Sequence, residues 1–200
     1  SGINLLGEDT SSPYSLGWNS SAAGSHSLTA RAVYGSGSTV SSTPVVINIS
    51  LSGLAATTIW PITAVPVVAD GGADGSVELG VKFRSDTAGL VTGIRFYKSS
   101  ANTGTHTGNL WSSTGSLLGS AVFTSETASG WQQVLFPAPV AIASNTVYVA
   151  SYHANNGHYS ADQLYFSGKG QNNPPLQALA TGVSGANGVY AYGANRAFPN

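Results

Sequence analysis

The stretch GSVELGVKFR, Gly75–Arg84, decides the fold. Its apolar residues Val77, Leu79, Val81 and Phe83 alternate with Glu78, Lys82 and Arg84. Consecutive side chains of an extended chain point to opposite faces of a sheet. The first set predicts a core face and the second a wet one, as in an antiparallel sheet solvated on one side. Outward from here, Gly89–Lys98 (GLVTGIRFYK) sets Leu90, Ile94 and Phe96 against Val91, Arg95 and Tyr97. In Thr146–Tyr152, Val147, Val149 and Ser151 oppose Tyr148, Ala150 and Tyr152. Similar short runs occupy Ser27–Tyr34, Thr39–Ile49, Gly108–Trp111, Leu117–Thr124 and Gly130–Phe136, with Gly, Asn, Ser and Pro between them. Such spacing predicts an all-β sandwich or barrel. Val65–Gly75 and Gly168–Asn200 read as loop.

A boundary falls at Ser50–Thr57 (SLSGLAAT). It separates a small β unit, residues 1–50, from a larger one, residues 58–200, with 51–57 as linker.

Composition narrows the function. Charged residues make up 8% of the 200 positions and the net charge is -1, against about a quarter charged in an average soluble protein. A surface this neutral lacks the basic footprint for nucleic acid or anionic lipid. Cysteine is absent, so neither disulfides nor thiolate metal sites form. No apolar run reaches the ~20 residues of a membrane-spanning helix. The Ser-Gly start is read as that of a processed, cloned or partial chain.

The segment YHANNGHYS, Tyr152–Ser160, carries the candidate chemistry. An Asn-Gly turn between two strands favours a tight hairpin, which predicts that His153 and His158 approach each other. His106 lies in another loop, and three neutral imidazoles together suit Zn²⁺ or Cu²⁺. Oxygen donors in DGGADG, Asp70 and Asp74 among them, resemble a Ca²⁺ loop, as does Asp86, but the alternation and terminal Glu of an EF-hand are missing. Solvated turns and hydrogen-bonded histidines are the simpler reading of both sets. Rings and amides also suit sugar recognition, because aromatic side chains bring large apolar area with a polar tip. Tyr152, His153, Asn155, Asn156, His158, Tyr159, Tyr190 and Tyr192 are the candidates. Trp111 and Trp131, inside strand runs, are expected in the core. Hydrolase motifs are missing, and Glu78 and Asp86 stand too far apart for a carboxylate pair.

Two resemblances add to this reading. SPYSLGWNSSAAGSHSLTARAVYGSGSTVSSTPVVINIS, around Ser12–Ser15, Trp18 and Ala23–Ala30, resembles the C-terminal half of a bacterial immunoglobulin-like domain. VELGVKFRSD, GLVTGIRFYKSSANTGTHTGNLWSSTGSLLGSAVF, SGWQQVLF, YVASYHANNGHYS, NNPPLQAL and NGVYAYG resemble a bacterial domain of unknown function numbered four-zero-eight-two, over Thr58–Pro199. That family occurs in secreted multidomain proteins beside immunoglobulin-like modules, sometimes beside enzymes. Members of both families carry strands beyond those seen here, which implies either a fragment or strand addition from a neighbour.

The expectation is a partial immunoglobulin-like sandwich followed by a larger jelly-roll-like antiparallel sandwich. It is expected to act as a non-catalytic module at the bacterial cell surface or outside the cell, without a cofactor. The partner is a polysaccharide or cell-surface glycan. A self-assembling surface subunit completed by neighbouring strands is the alternative, and a metal-dependent enzyme a more distant one.

Overall fold

A computed structural model describes residues 4–18, 24–49 and 56–200. Asn19–Ala23 of the stretch expected to be immunoglobulin-like and most of the expected Ser50–Thr57 boundary lie outside them. The described residues are all-β, with no helix and no closed barrel. Two compact units divide the chain, Ser1–Ser52 and Gly53–Asn200.

The first unit holds β1 (Gly24–Leu28), β2 (Arg31–Tyr34), β3 (Ser38–Ser41) and β4 (Val45–Ile49). β1 pairs with β4 and β2 with β3, both antiparallel. The runs 27–34 and 39–49, each expected as one strand, are both interrupted. The Ala30 N–H donates to Ser42 Oγ (3.1 Å) and the Ser42 N–H to the Ala30 carbonyl (2.9 Å), which turns the chain out of both strands. Pro44 then supplies no N–H to a ladder. Val33, Val40, Val45 and Val46 remain exposed.

The second unit comprises β5 (Val77–Ser85), β6 (Gly89–Lys98), β7 (Thr107–Ser112), β8 (Leu117–Val122), β9 (Gly130–Ile142), β10 (Tyr148–Ala154), β11 (Gln171–Asn173), β12 (Leu176–Ala178) and β13 (Val189–Tyr192). One sheet runs β11-β12-β5-β10-β7-β8, with β13 also beside β5. β6 and β9 form the facing ribbon. Phe83 and Val77 from β5, Ile94 and Phe96 from β6, Leu110, Phe136, Tyr148 and Tyr152 fill the space between. The Phe96 and Tyr152 rings stack at 4.1 Å between centroids. Truncating either ring to alanine costs about 3–5 kcal/mol.

Two expectations about faces need correction. In β6, Val91 rather than Leu90 packs on the core with Ile94 and Phe96. The pairing with β9 slips between Val91 and Gly93, opposite the Pro137–Pro139 stretch, and the slip exchanges the faces. The second face of the main sheet is not wet. Glu78, Asn109 and Ser151 are buried there, and Trp111, Val149 and Val189 pack with Phe198. The C-terminal segment returns over this face, and Gly80 makes room for it. A Cβ at position 80 would meet Pro199 Cγ at 2.9 Å and Val149 Cγ1 at 3.0 Å.

Gly168–Asn200 also contains more than loop. β12 covers Phe83–Ser85 of β5, and β13 covers Val77–Gly80. Between them the Asn187 side chain pairs with the Lys82 backbone in place of a strand.

Candidate functional site

At one end of the second unit, the segment after β10 packs against the acidic loop Asp70–Gly75. The Gly71 N–H donates to the Tyr159 carbonyl (2.8 Å), and the His158 N–H to that of Gly72 (2.7 Å). Ala73 and Gly157 form a bridge between the two segments. Gly157 has φ 67°, and a Cβ on it would lie 2.3 Å from the Asp74 nitrogen, so only glycine permits this approach.

Side chains lock the same contact. The Tyr159 and Tyr192 hydroxyls both donate to Asp74 Oδ2, at 3.0 and 2.7 Å. These bonds, with the Gly75 N–H, hold the Asp74 carboxyl below its ordinary range, the Tyr192 contribution being largest. The same carboxylate pushes the Tyr192 hydroxyl well up. Asp70 accepts from the Gly72 N–H (2.8 Å) and from His158 Nδ1–H (2.9 Å), which also lowers its carboxyl. Tyr190 meets Tyr192 edge-to-face, 5.7 Å between centroids, and both rings are more than half exposed. Tyr159, Tyr190, Tyr192, Asp70, Asp74 and His158 are thereby gathered at one rim. The Asn155 and Asn156 amides donate to the carbonyls of Thr105 and Thr103, tying this rim to the 102–106 loop (3.0 and 3.1 Å).

The first residues of YHANNGHYS belong elsewhere, because β10 runs on to Ala154. Tyr152 lies in the core and offers no ring to a ligand. His153 is buried on the opposite sheet face. His106 is fully buried too, 2.8 Å from Glu126 Oε1 through Nδ1 and 2.8 Å from Asn102 Oδ1 through Nε2. Burial holds its imidazole below the ordinary range, against the raising effect of Glu126. A neutral ring that donates from Nδ1 must accept at Nε2. It is satisfied when the Asn102 amide turns Nδ2 toward it, and that nitrogen otherwise has no partner. The three histidines therefore engage three separate sets of partners. Among the described residues no three His, Cys, Asp or Glu side chains converge as metal ligands. Asp86 accepts from Gln177 instead.

The arrangement that periodicity does not announce lies under the C-terminal segment. Glu78 Oε1 accepts from Asn109 Nδ2 (2.9 Å) and from the Ser151 hydroxyl, which itself accepts from Trp111 Nε1–H (2.8 Å). Burial pushes the Glu78 carboxyl up, and these hydrogen bonds oppose it. His153, directly across from Glu78 in the ladder, places Nδ1 3.3 Å from Glu78 Oε2. Its Nε2 lies 2.9 Å from Ser76 Oγ. A pocket of about 480 Å³ adjoins, lined by His153, Thr107, Ala194, Asn195 and Arg196. The only sequence sign was an acid at alternate spacing from a serine, Ser76-x-Glu78.

Among the described residues Arg84 and Arg95 form no ion pair with an acid. Arg84 Nε–H donates to Gln177 Oε1 (3.1 Å), and Arg95 lies over the half-buried Trp131 ring, 4.6 Å from its centre.

No curated protein matches the chain. The family model described as "Domain of unknown function (DUF4082)" matches residues 63–200, and the chain belongs to that family.

Proposed function

We propose that the chain is part of an extracellular bacterial recognition module that binds an uncharged polysaccharide or cell-surface glycan at the tyrosine rim. In this reading the first unit is a partial immunoglobulin-like sandwich and the second a jelly-roll-like sandwich that carries the binding surface. The observation that supports it is the exposed Tyr190–Tyr192 pair held beside Asp74. Exposed rings supply apolar faces for sugar C–H groups, and the carboxylate supplies acceptors for sugar hydroxyls. The neutral composition suits a neutral ligand. Affinity electrophoresis against neutral polysaccharides tests the reading. The wild-type chain is retarded by one of them, and Tyr190→Ala migrates freely. Wild-type migration unchanged by every polysaccharide at millimolar sugar overturns it.

A second reading is self-assembly, with strands supplied by neighbours. It is favoured by the exposed Val33, Val40, Val45 and Val46 on β2–β4, because apolar, open strand edges invite pairing. Sedimentation velocity distinguishes it, since a strictly monomeric folded chain rules this reading out.

A further inference from the structure

The Ser76, His153 and Glu78 side chains form a line in which each group has a different chemical capacity. Ser76 directly precedes β5 and Glu78 is the second residue of that strand, and both side chains reach the same imidazole. His153 stands opposite Glu78 on β10, and its ring lies between the two. Ser76 is half-buried, while Glu78 is fully enclosed. Glu78 Oε2 and His153 Nδ1 are both buried without a well-directed hydrogen bond, and each is the other's neighbour at 3.3 Å. A proton on Nδ1 pairs these two atoms and leaves Nε2 as an acceptor facing the Ser76 hydroxyl.

We propose that Ser76, His153 and Glu78 constitute an acyl-transfer centre acting on carboxylic esters of a hydroxyl compound. Its order of groups is that of a serine nucleophile, a histidine base and a carboxylate that orients the base. Slack hydrogen bonds at such centres tighten when substrate binds.

The reaction consumes the ester and one water and releases an alcohol and an acid. Ser76 Oγ attacks the ester carbonyl carbon, and its proton passes to His153 Nε2. The carbonyl π-electrons move to oxygen, giving a tetrahedral oxyanion. The bond from carbon to the alcohol oxygen breaks as His153 returns the proton to that oxygen. Water then attacks the Ser76 ester by the same path, releasing the acid. Glu78 acts as a positioning residue, fixing the proton on Nδ1 and facing the imidazolium as it forms.

Acylation of Ser76 is independent of glycan binding at the tyrosine rim, and it leaves a covalent bond to Ser76 as its mark. The test treats the folded chain with a fluorophosphonate ester and locates the adduct by peptide mass spectrometry. One equivalent is expected on Ser76, and none in Ser76→Ala. In Glu78→Gln the new amide N–H faces Nδ1 and forces the proton onto Nε2, while the Gln carbonyl can still accept from Asn109 and Ser151. Labelling then falls by about two to four orders of magnitude, by analogy with wrong-tautomer variants of serine-protease triads. The ring tautomer, read by ¹⁵N NMR, moves from Nδ1–H to Nε2–H, a change that a merely structural role would not couple to reactivity. A folded wild-type chain that takes no adduct at Ser76 overturns the proposal. So does a wild-type His153 that carries its proton on Nε2.

Discussion

Asn187 completes the backbone pairing of Lys82. Its Oδ1 accepts from the Lys82 N–H at 2.7 Å, and its Nδ2 donates to the Lys82 carbonyl at 2.9 Å and to that of Leu179 at 2.7 Å. One side-chain amide thus stands in for a strand in the gap between β12 and β13. Removing it leaves main-chain groups unpaired, at about 1–3 kcal/mol for each one that is buried. Asn187→Ala should lower the unfolding free energy by about 2–3 kcal/mol in urea melts. Asn187→Asp should do no better, since it keeps the acceptor and sets a carboxylate against two carbonyls.

His106 makes stability depend on pH. Burial keeps its folded-state imidazole below the unfolded value of about 6.5. As pH falls through that value, the unfolded chain takes a proton that the folded ring refuses. The stabilisation is therefore complete above pH ~6.5 and declines toward the lowered folded value, with a slope of at most ~1.4 kcal/mol per pH unit. Glu126 raises the ring's proton affinity, while Lys98 and His153 lower it. Chemical unfolding at a series of pH values checks the slope, and His106→Gln should remove that part of it.

Asp74 controls two tyrosines at once. With the carboxylate in place, the Tyr192 hydroxyl titrates well above its ordinary range. Asp74→Asn removes that charge, and spectrophotometric titration should show Tyr192 returning toward about 10. Polysaccharide retention should weaken in the same variant, because Tyr159 and Tyr192 lose their common anchor.

Gly157 tests whether the rim depends on its packing. Gly157→Ala places a methyl against Asp74 at a left-handed backbone position. Overpacking of this kind costs roughly 1–3 kcal/mol. Amide exchange should rise across residues 70–75 and 155–160, while the β5–β10 ladder stays protected.

Much of the scaffold was legible in the sequence, and the misses share a physical cause. Gly89–Lys98 forms β6 over the expected span, and the Val77, Leu79, Phe83 face of β5 packs on the core as its alternation implies. Alternation states which residues share a face but not what covers that face. Glu78 looked solvated because glutamate usually is, and nothing local shows that Phe198 and Pro199 return over its side of the sheet. Tyr152 closed the expected strand and His153 looked like the first loop residue because the Asn-Asn-Gly turn follows so closely, yet pairing with β5 and β7 extends through His153. Of the proposed rim, Tyr159, Tyr190 and Tyr192 were named from composition, whereas the meeting of Tyr159 and Tyr192 at Asp74 depends on contacts 85 and 118 residues apart in the chain.

The clasp between Asp74, Tyr159 and Tyr192 also sets the thermodynamic character of any encounter there. Rings already immobilised have little freedom left to surrender, so a guest meets a mould that has set beforehand. Calorimetry of a bound sugar should accordingly show a smaller entropic penalty for the native chain than for one in which the clasp has been opened.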